Sequence, residues 1–127
     1  MGRKALFSSD GPAPVAPYSP ALDLGEWVYL SGQLGLSPQS GAMVEGGTRE
    51  QAEQALRNLS VLLEAAGLTL DSVVKTTLYL TDMGDFDEVN ELYADSFSEP
   101  RPAREAVEVS ALPLGAAVEI DAVARRE

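Results

Sequence analysis

Residues 48–80 read TREQAEQALRNLSVLLEAAGLTLDSVVKTTLYL, and this stretch decides the fold. Its first part repeats apolar residues at helical spacing: Ala52, Ala55, Leu56, Leu59, Leu62, Leu63 and Ala66 fall on one stripe. Thr48, with Gln51 three residues on, has the form of a capping box, and Gly67 has the form of a helix stop. Burying each leucine of the stripe stabilises by roughly 1.5–3 kcal/mol, so the helix is expected to lie on a sheet. The run from Val73 to Leu80 supplies a strand of that sheet, rich in β-branched residues and apolar on both sides.

Towards the N-terminus, Lys4 to Ser8 fits a short edge strand, and Asp10-Gly11-Pro12-Ala13-Pro14 is a loop. Pro17-Tyr18-Ser19-Pro20 is a stiff segment that projects one aromatic hydroxyl. Ala21 to Leu24 and Trp27 to Gln33 flank Gly25-Glu26, the pattern of a two-residue hairpin turn. The second of these strands carries Trp27, Tyr29 and Ser31 on one face and Val28 and Leu30 on the other, and ends in Ser31-Gly32-Gln33. Ser37 to Gly47 is expected to be a mobile loop.

Towards the C-terminus, Asp82-Met83-Gly84 turns the chain, and Asp85 with Glu88 has the form of a second capping box. Phe86, Val89, Tyr93 and Phe97 form the apolar stripe of a second helix. Pro100-Arg101-Pro102-Ala103 leads stiffly into a strand in which Arg104, Ala106 and Glu108 share one face and Glu105, Val107 and Val109 the other. After a turn at Leu112-Pro113-Leu114-Gly115, the last strand runs from Val118 to Ala124, with Val118, Ile120 and Ala122 alternating against Glu119, Asp121 and Val123.

The resulting order is hairpin, helix, strand, helix, strand, strand: an α+β domain spanning residues 1–127, with a mixed sheet of about six strands and two helices on one face. Two helices cover one face only, yet several strands are apolar on both. Self-association with the sheet faces turned inward is the expected cover. The side chain of Arg104, and with it Glu119, is expected on that second face, at a subunit interface.

Composition narrows the chemistry. The chain has 127 residues and a formal net charge of −11, which repels phosphate backbones and anionic lipid, so neither nucleic acid nor membrane is an expected partner. Cysteine and histidine are both absent. Disulfides, thiolate nucleophiles, the commonest general base and most transition-metal sites are thereby excluded. The N-terminal residues carry no long apolar run, and a cytoplasmic protein is the expectation. What remains is a guanidinium, carboxylates, tyrosines, hydroxyls and backbone groups. That set suits reactions of low intrinsic barrier, where orientation and charge placement suffice.

Taken singly, the polar candidates have plain readings: Arg104 paired with one of 20 acidic residues, Tyr18 a rim aromatic, Glu119 a solvated strand residue. Taken in order they form a pattern. Ala16-Pro17-Tyr18-Ser19, Leu30-Ser31-Gly32-Gln33, Val74-Lys75-Thr76-Thr77, Val89-Asn90-Glu91-Leu92-Tyr93, Pro102-Ala103-Arg104, Val107-Glu108-Val109 and Val118-Glu119-Ile120 together resemble the RidA (YjgF) family of enamine/imine deaminases over nearly the whole chain. The resemblance implies a chorismate-mutase-like fold and a homotrimer with sites at subunit interfaces. It implies that Arg104 binds a substrate carboxylate and that Glu119 positions or activates water. It also implies that Tyr18 of a neighbouring subunit, Ser31, Gly32 and Asn90 line the pocket. The implied reaction is hydrolysis of 2-iminopropanoate, 2-iminobutanoate or similar acids to the 2-keto acid and ammonia, with no metal and no cofactor. Glu105 and Ala106 depart from the hydroxyl- or thiol-bearing residues common after the arginine. Ala106 therefore gives the pocket a less polar wall, and Glu105 could swing round and neutralise Arg104. The competing expectation is a non-catalytic trimeric sensor that binds small carboxylates in the same pocket.

Overall fold

The computed structural model describes residues 2–127. Six strands form one mixed sheet in the order β1-β2-β3-β6-β4-β5: β1 is Lys4–Leu6, β2 Ala21–Asp23, β3 Trp27–Gln33, β4 Val73–Leu80, β5 Ala103–Glu108 and β6 Val118–Arg125. Helix α1 (Thr48–Ala65) leads into β4, and α2 (Phe86–Ser96) joins β4 to β5, the one parallel pair. The last strand, β6, inserts between β3 and β4 and pairs antiparallel with both.

Both helices lie on one face, as the count of apolar stripes predicts. Val28, Leu30, Leu78, Leu80, Val118, Ile120, Ala122 and Ala124 pack there against Ala55, Leu56, Leu59 and Leu63 of α1 and Val89, Leu92 and Tyr93 of α2. The opposite face has no cover among the described residues and leaves Tyr29 50% and Val107 40% exposed. Among the described residues, no helix is long and apolar enough to cross a membrane.

The helix caps differ from those expected. Thr48 is already the first helical residue, so Gly47 is the N-cap and the Glu50 carboxylate accepts the Gly47 N–H at 2.8 Å. The Thr48 hydroxyl instead donates to Asp85 Oδ2 at 2.6 Å. Asp85 makes no side-chain cap on α2. Gln51 instead reaches the residue before β6, where its Oε1 accepts the Ala117 N–H at 2.9 Å. The loop after β3 is fastened at its start: buried Asn58 of α1 donates Nδ2 to the carbonyls of Leu34 and Leu36, at 3.1 and 3.0 Å.

Candidate active site

The candidate residues fall into two groups, and the fold sets them apart. The first group forms around a bulge. Between Leu30 and Gln33, β3 advances three residues while β6 advances two, from Ala122 to Ile120. The extra residue at Ser31-Gly32 breaks the ladder beside Glu119 and lets the chain bend there. The Ser31 hydroxyl donates to the Ser19 carbonyl at 2.7 Å, and its N–H donates to the Pro20 carbonyl at 2.9 Å. These two bonds hold the 17–20 segment, and with it Tyr18, over the bulge. Tyr18, Ser31, Gly32 and Glu119 line one pocket, with Val15, Ala16, Leu34 and Pro113 as its apolar wall.

The Glu119 carboxylate lies directly over Gly32. Burial pushes its carboxyl above the usual glutamate range, and neighbouring Asp121 on the same face pushes it further. Asp121 itself is held by the Thr77 N–H, which donates to its Oδ1 at 2.7 Å. A carboxyl shifted upward in this way is a better proton acceptor than an ordinary glutamate.

The second group lies at the far edge of the sheet. Asn90, Tyr93 and Arg104 line a different pocket, together with Ala94, Arg101 and Pro102. In the parallel register Arg104 sits opposite Thr76 and Ala106 opposite Leu78, both of which point into the helix-covered core. Arg104 therefore projects on the helix-bearing side, with its guanidinium carbon 4.8 Å from the Tyr93 ring centre and 5.6 Å from that of Phe86. This corrects the expectation that it lies on the uncovered face. Alternation along β5 separates Arg104 from Val107, but it does not say which face meets the helices; α2, folding back over β4 and β5, does.

Glu119 pairs with Tyr79, which pairs in turn with Val107, so Glu119 does lie on the open face. Arg104 and Glu119 thus point to opposite sides of one sheet. Ala106 packs against the core on Arg104's side and lines neither pocket.

Two further facts bear on the arginine. Glu105 does not reach it: the side chain points to the open face, where Lys75 Nζ lies 2.6 Å from its Oε1 and holds its carboxyl below the usual range. Among the described residues, Arg104 has no ion pair or hydrogen bond, although the chain carries 20 acidic residues. The Asn90 Oδ1 beside it is buried and also without a partner among the described residues. Tyr93 is a site residue that the apolar stripe concealed. Its available signal was chemical, since a tyrosine hydroxyl on a buried stripe needs a partner, and Thr76 is a polar residue within an apolar strand.

Comparison with known proteins places the chain in a family. The family described as endoribonuclease L-PSP matches residues 8–126. A mouse protein named 2-iminobutanoate/2-iminopropanoate deaminase is 49% identical over 96% of this chain and 90% of its own. A RutC family protein of Pyrococcus horikoshii is 43% identical over 98% and 99% of the two chains. Among solved structures, RidA from a Psychrobacter species superimposes with a TM-score of 0.94 at 43% identity, covering 97% of this chain and 99% of that one. Escherichia coli TdcF with bound serine gives 0.92 at 32% identity, covering 98% and 99%. With the fold, the ordered motifs and a match along almost its entire length in agreement, the chain belongs to the RidA (YjgF) family.

Proposed function

We propose that the protein is a hydrolytic deaminase of reactive 2-imino and enamine acids, 2-iminopropanoate and 2-iminobutanoate among them. The observation that carries the reading is the Arg104 guanidinium, open to a pocket and unclaimed by any carboxylate among the described residues. A cation left in that state is suited to an external anion. A planar 2-imino acid offers a carboxylate that two parallel N–H donors can grip, each bond contributing about 1.5–3 kcal/mol.

The active assembly in this reading is a homotrimer in which the edge pocket of one chain, with Arg104 and Asn90, meets the bulge pocket of its neighbour, with Tyr18, Ser31, Gly32 and Glu119. Support comes from the placement of the two groups on opposite faces and from the uncovered apolar sheet face. Water then adds to the imine carbon while Glu119 takes its proton. The same carboxyl returns that proton to nitrogen to give the carbinolamine, then carries the hydroxyl proton to nitrogen as the C–N bond breaks and the C=O bond forms, and ammonia and the 2-keto acid leave. General base and acid assistance of this kind contributes about 10²–10⁴-fold, enough for a carbon that already hydrolyses in water. No metal or cofactor enters any step. The −11 charge weighs against a nuclease role.

The test couples a threonine dehydratase to semicarbazide trapping and asks whether the protein competes with the trap for 2-iminobutanoate. Arg104→Ala should lose about 3–4 kcal/mol of transition-state binding, roughly 10²–10³-fold in rate. Arg104→Lys should recover little, because an ammonium cannot make the two-pronged contact. A wild type that binds 2-keto acids yet never speeds imine hydrolysis would instead be a carboxylate sensor. An Arg104→Ala protein with wild-type turnover would refute the assignment.

A further inference from the structure

We propose that Tyr93 and Thr76 form a positioning device for Arg104, a fixed aromatic shelf that orients the guanidinium before any ligand arrives. Its role in gripping a substrate carboxylate rests on the function proposed above; its effect on the arginine does not.

Arg104 stands on β5, the sheet's edge strand, where a long side chain would ordinarily be free to wander. What meets it is the face of Tyr93, 4.8 Å from the guanidinium carbon, with Phe86 at 5.6 Å. The Tyr93 ring is itself fixed on two sides. Its hydroxyl and that of Thr76 are 2.7 Å apart in the core, and Phe97 packs on the ring at 4.5 Å between centres. Thr76 lies directly opposite Arg104 in the β4–β5 register. Strand, helix and neighbouring strand therefore close a triangle: Thr76 holds the ring, the ring holds the guanidinium, and the register holds Thr76 beside the arginine.

Two features mark this as more than packing. Thr76 and Tyr93 are both buried, and valine and phenylalanine would fill the same space without a hydroxyl to satisfy. The hydroxyl pair adds orientation: it sets the rotation and tilt of the ring that the guanidinium rests on. The restraint on Arg104 also comes from a π face and not from a carboxylate. An acid partner would occupy the N–H donors and compete with an incoming anion, whereas an aromatic ring in contact with the guanidinium accepts none of them as a carboxylate would. Ordering the side chain in advance removes a cost that binding would otherwise bear.

The test uses the full-length protein without ligand and reads Arg104 directly, through the chemical shift and width of its side-chain Nε–H resonance and its rate of modification by phenylglyoxal. The resonance is assigned by its loss in Arg104→Ala. In wild type it should be sharp and displaced by the ring current. Tyr93→Leu should return it to the position of a free arginine and speed modification. Tyr93→Phe and Thr76→Val, which keep the ring and release its tether, should broaden the resonance, and they supply the readout if Tyr93→Leu does not fold. Binding of 2-oxobutanoate should weaken by about 5- to 30-fold in Tyr93→Leu, and KM should rise more than kcat falls. In an Arg104→Ala background, Tyr93→Leu should change affinity no further, which a merely structural role would not produce. A folded Tyr93→Leu protein with unchanged Arg104 resonance and modification rate would overturn the device. A displaced resonance that Tyr93→Leu abolishes, in a protein that binds no 2-keto acid, would uphold the device and count against the deaminase.

Discussion

A β-carbon on Gly32 would lie 2.1 Å from Glu119 Oε2 and 2.7 Å from its carboxyl carbon. Glycine at the bulge is thus the condition for Glu119 to rest where it does, and the two positions work as a unit. Gly32→Ala should leave the fold intact, because the carboxylate can swing away, but should displace the group that activates water. We expect turnover of 2-iminobutanoate to fall by about 10²-fold, of the order lost when a general base is misplaced, with the melting temperature little changed. Near-normal turnover would show that Glu119 works from another position.

Glu119→Gln should abolish most turnover and also change stability in a pH-dependent way. Burial and Asp121 raise the folded-state pKa of Glu119 above its ordinary 4.5. The stability linked to its protonated form is present below the unfolded value and is lost as pH rises through the folded value. Above the folded value wild type therefore carries a charged, partly buried carboxylate that the amide lacks. Thermal melts should find Glu119→Gln the more stable protein near pH 8, with the gap closing as pH falls below the folded pKa. A constant gap across that window would remove the basis for the raised pKa.

If each site takes Arg104 from one chain and Glu119 from its neighbour, two inactive variants should restore activity together. Co-expressed Arg104→Ala and Glu119→Gln chains assembling at random into trimers should recover about a quarter of wild-type activity, since every mixed trimer rebuilds one of its three sites. Light scattering on the same sample reports the assembly. Monomers, or mixed trimers without activity, would end the interfacial reading.

Asn58 holds two buried carbonyls of the loop after β3, those of Leu34 and Leu36. Asn58→Ala should strand both and cost about 2–3 kcal/mol, read as a lower urea midpoint. Because Leu34 also lines the bulge pocket, turnover should fall as well. A loss below 0.5 kcal/mol, within the range expected of a surface substitution, would mean that water replaces the amide.

Much of the fold was legible in the chain alone. The stripe from Ala52 to Ala66 and the stop at Gly67 gave helix α1 and its buried side. The alternation from Val118 onward gave β6, with Ile120 and Glu119 on opposite faces. The ordered motifs named the family. Local periodicity reaches no further, because a period of two separates the faces of a strand without saying which face meets a helix. Only the parallel β4–α2–β5 unit, with β6 inserted between β3 and β4, put Arg104 on the helix side and Glu119 on the open side. In the same way Tyr93 reads as one more apolar position at helical spacing until the β4–β5 register sets Thr76 beneath it and Arg104 alongside. Spacing along the chain determines which side chains share a face; which faces meet is decided by pairings between residues far apart in sequence, and the site depends on those.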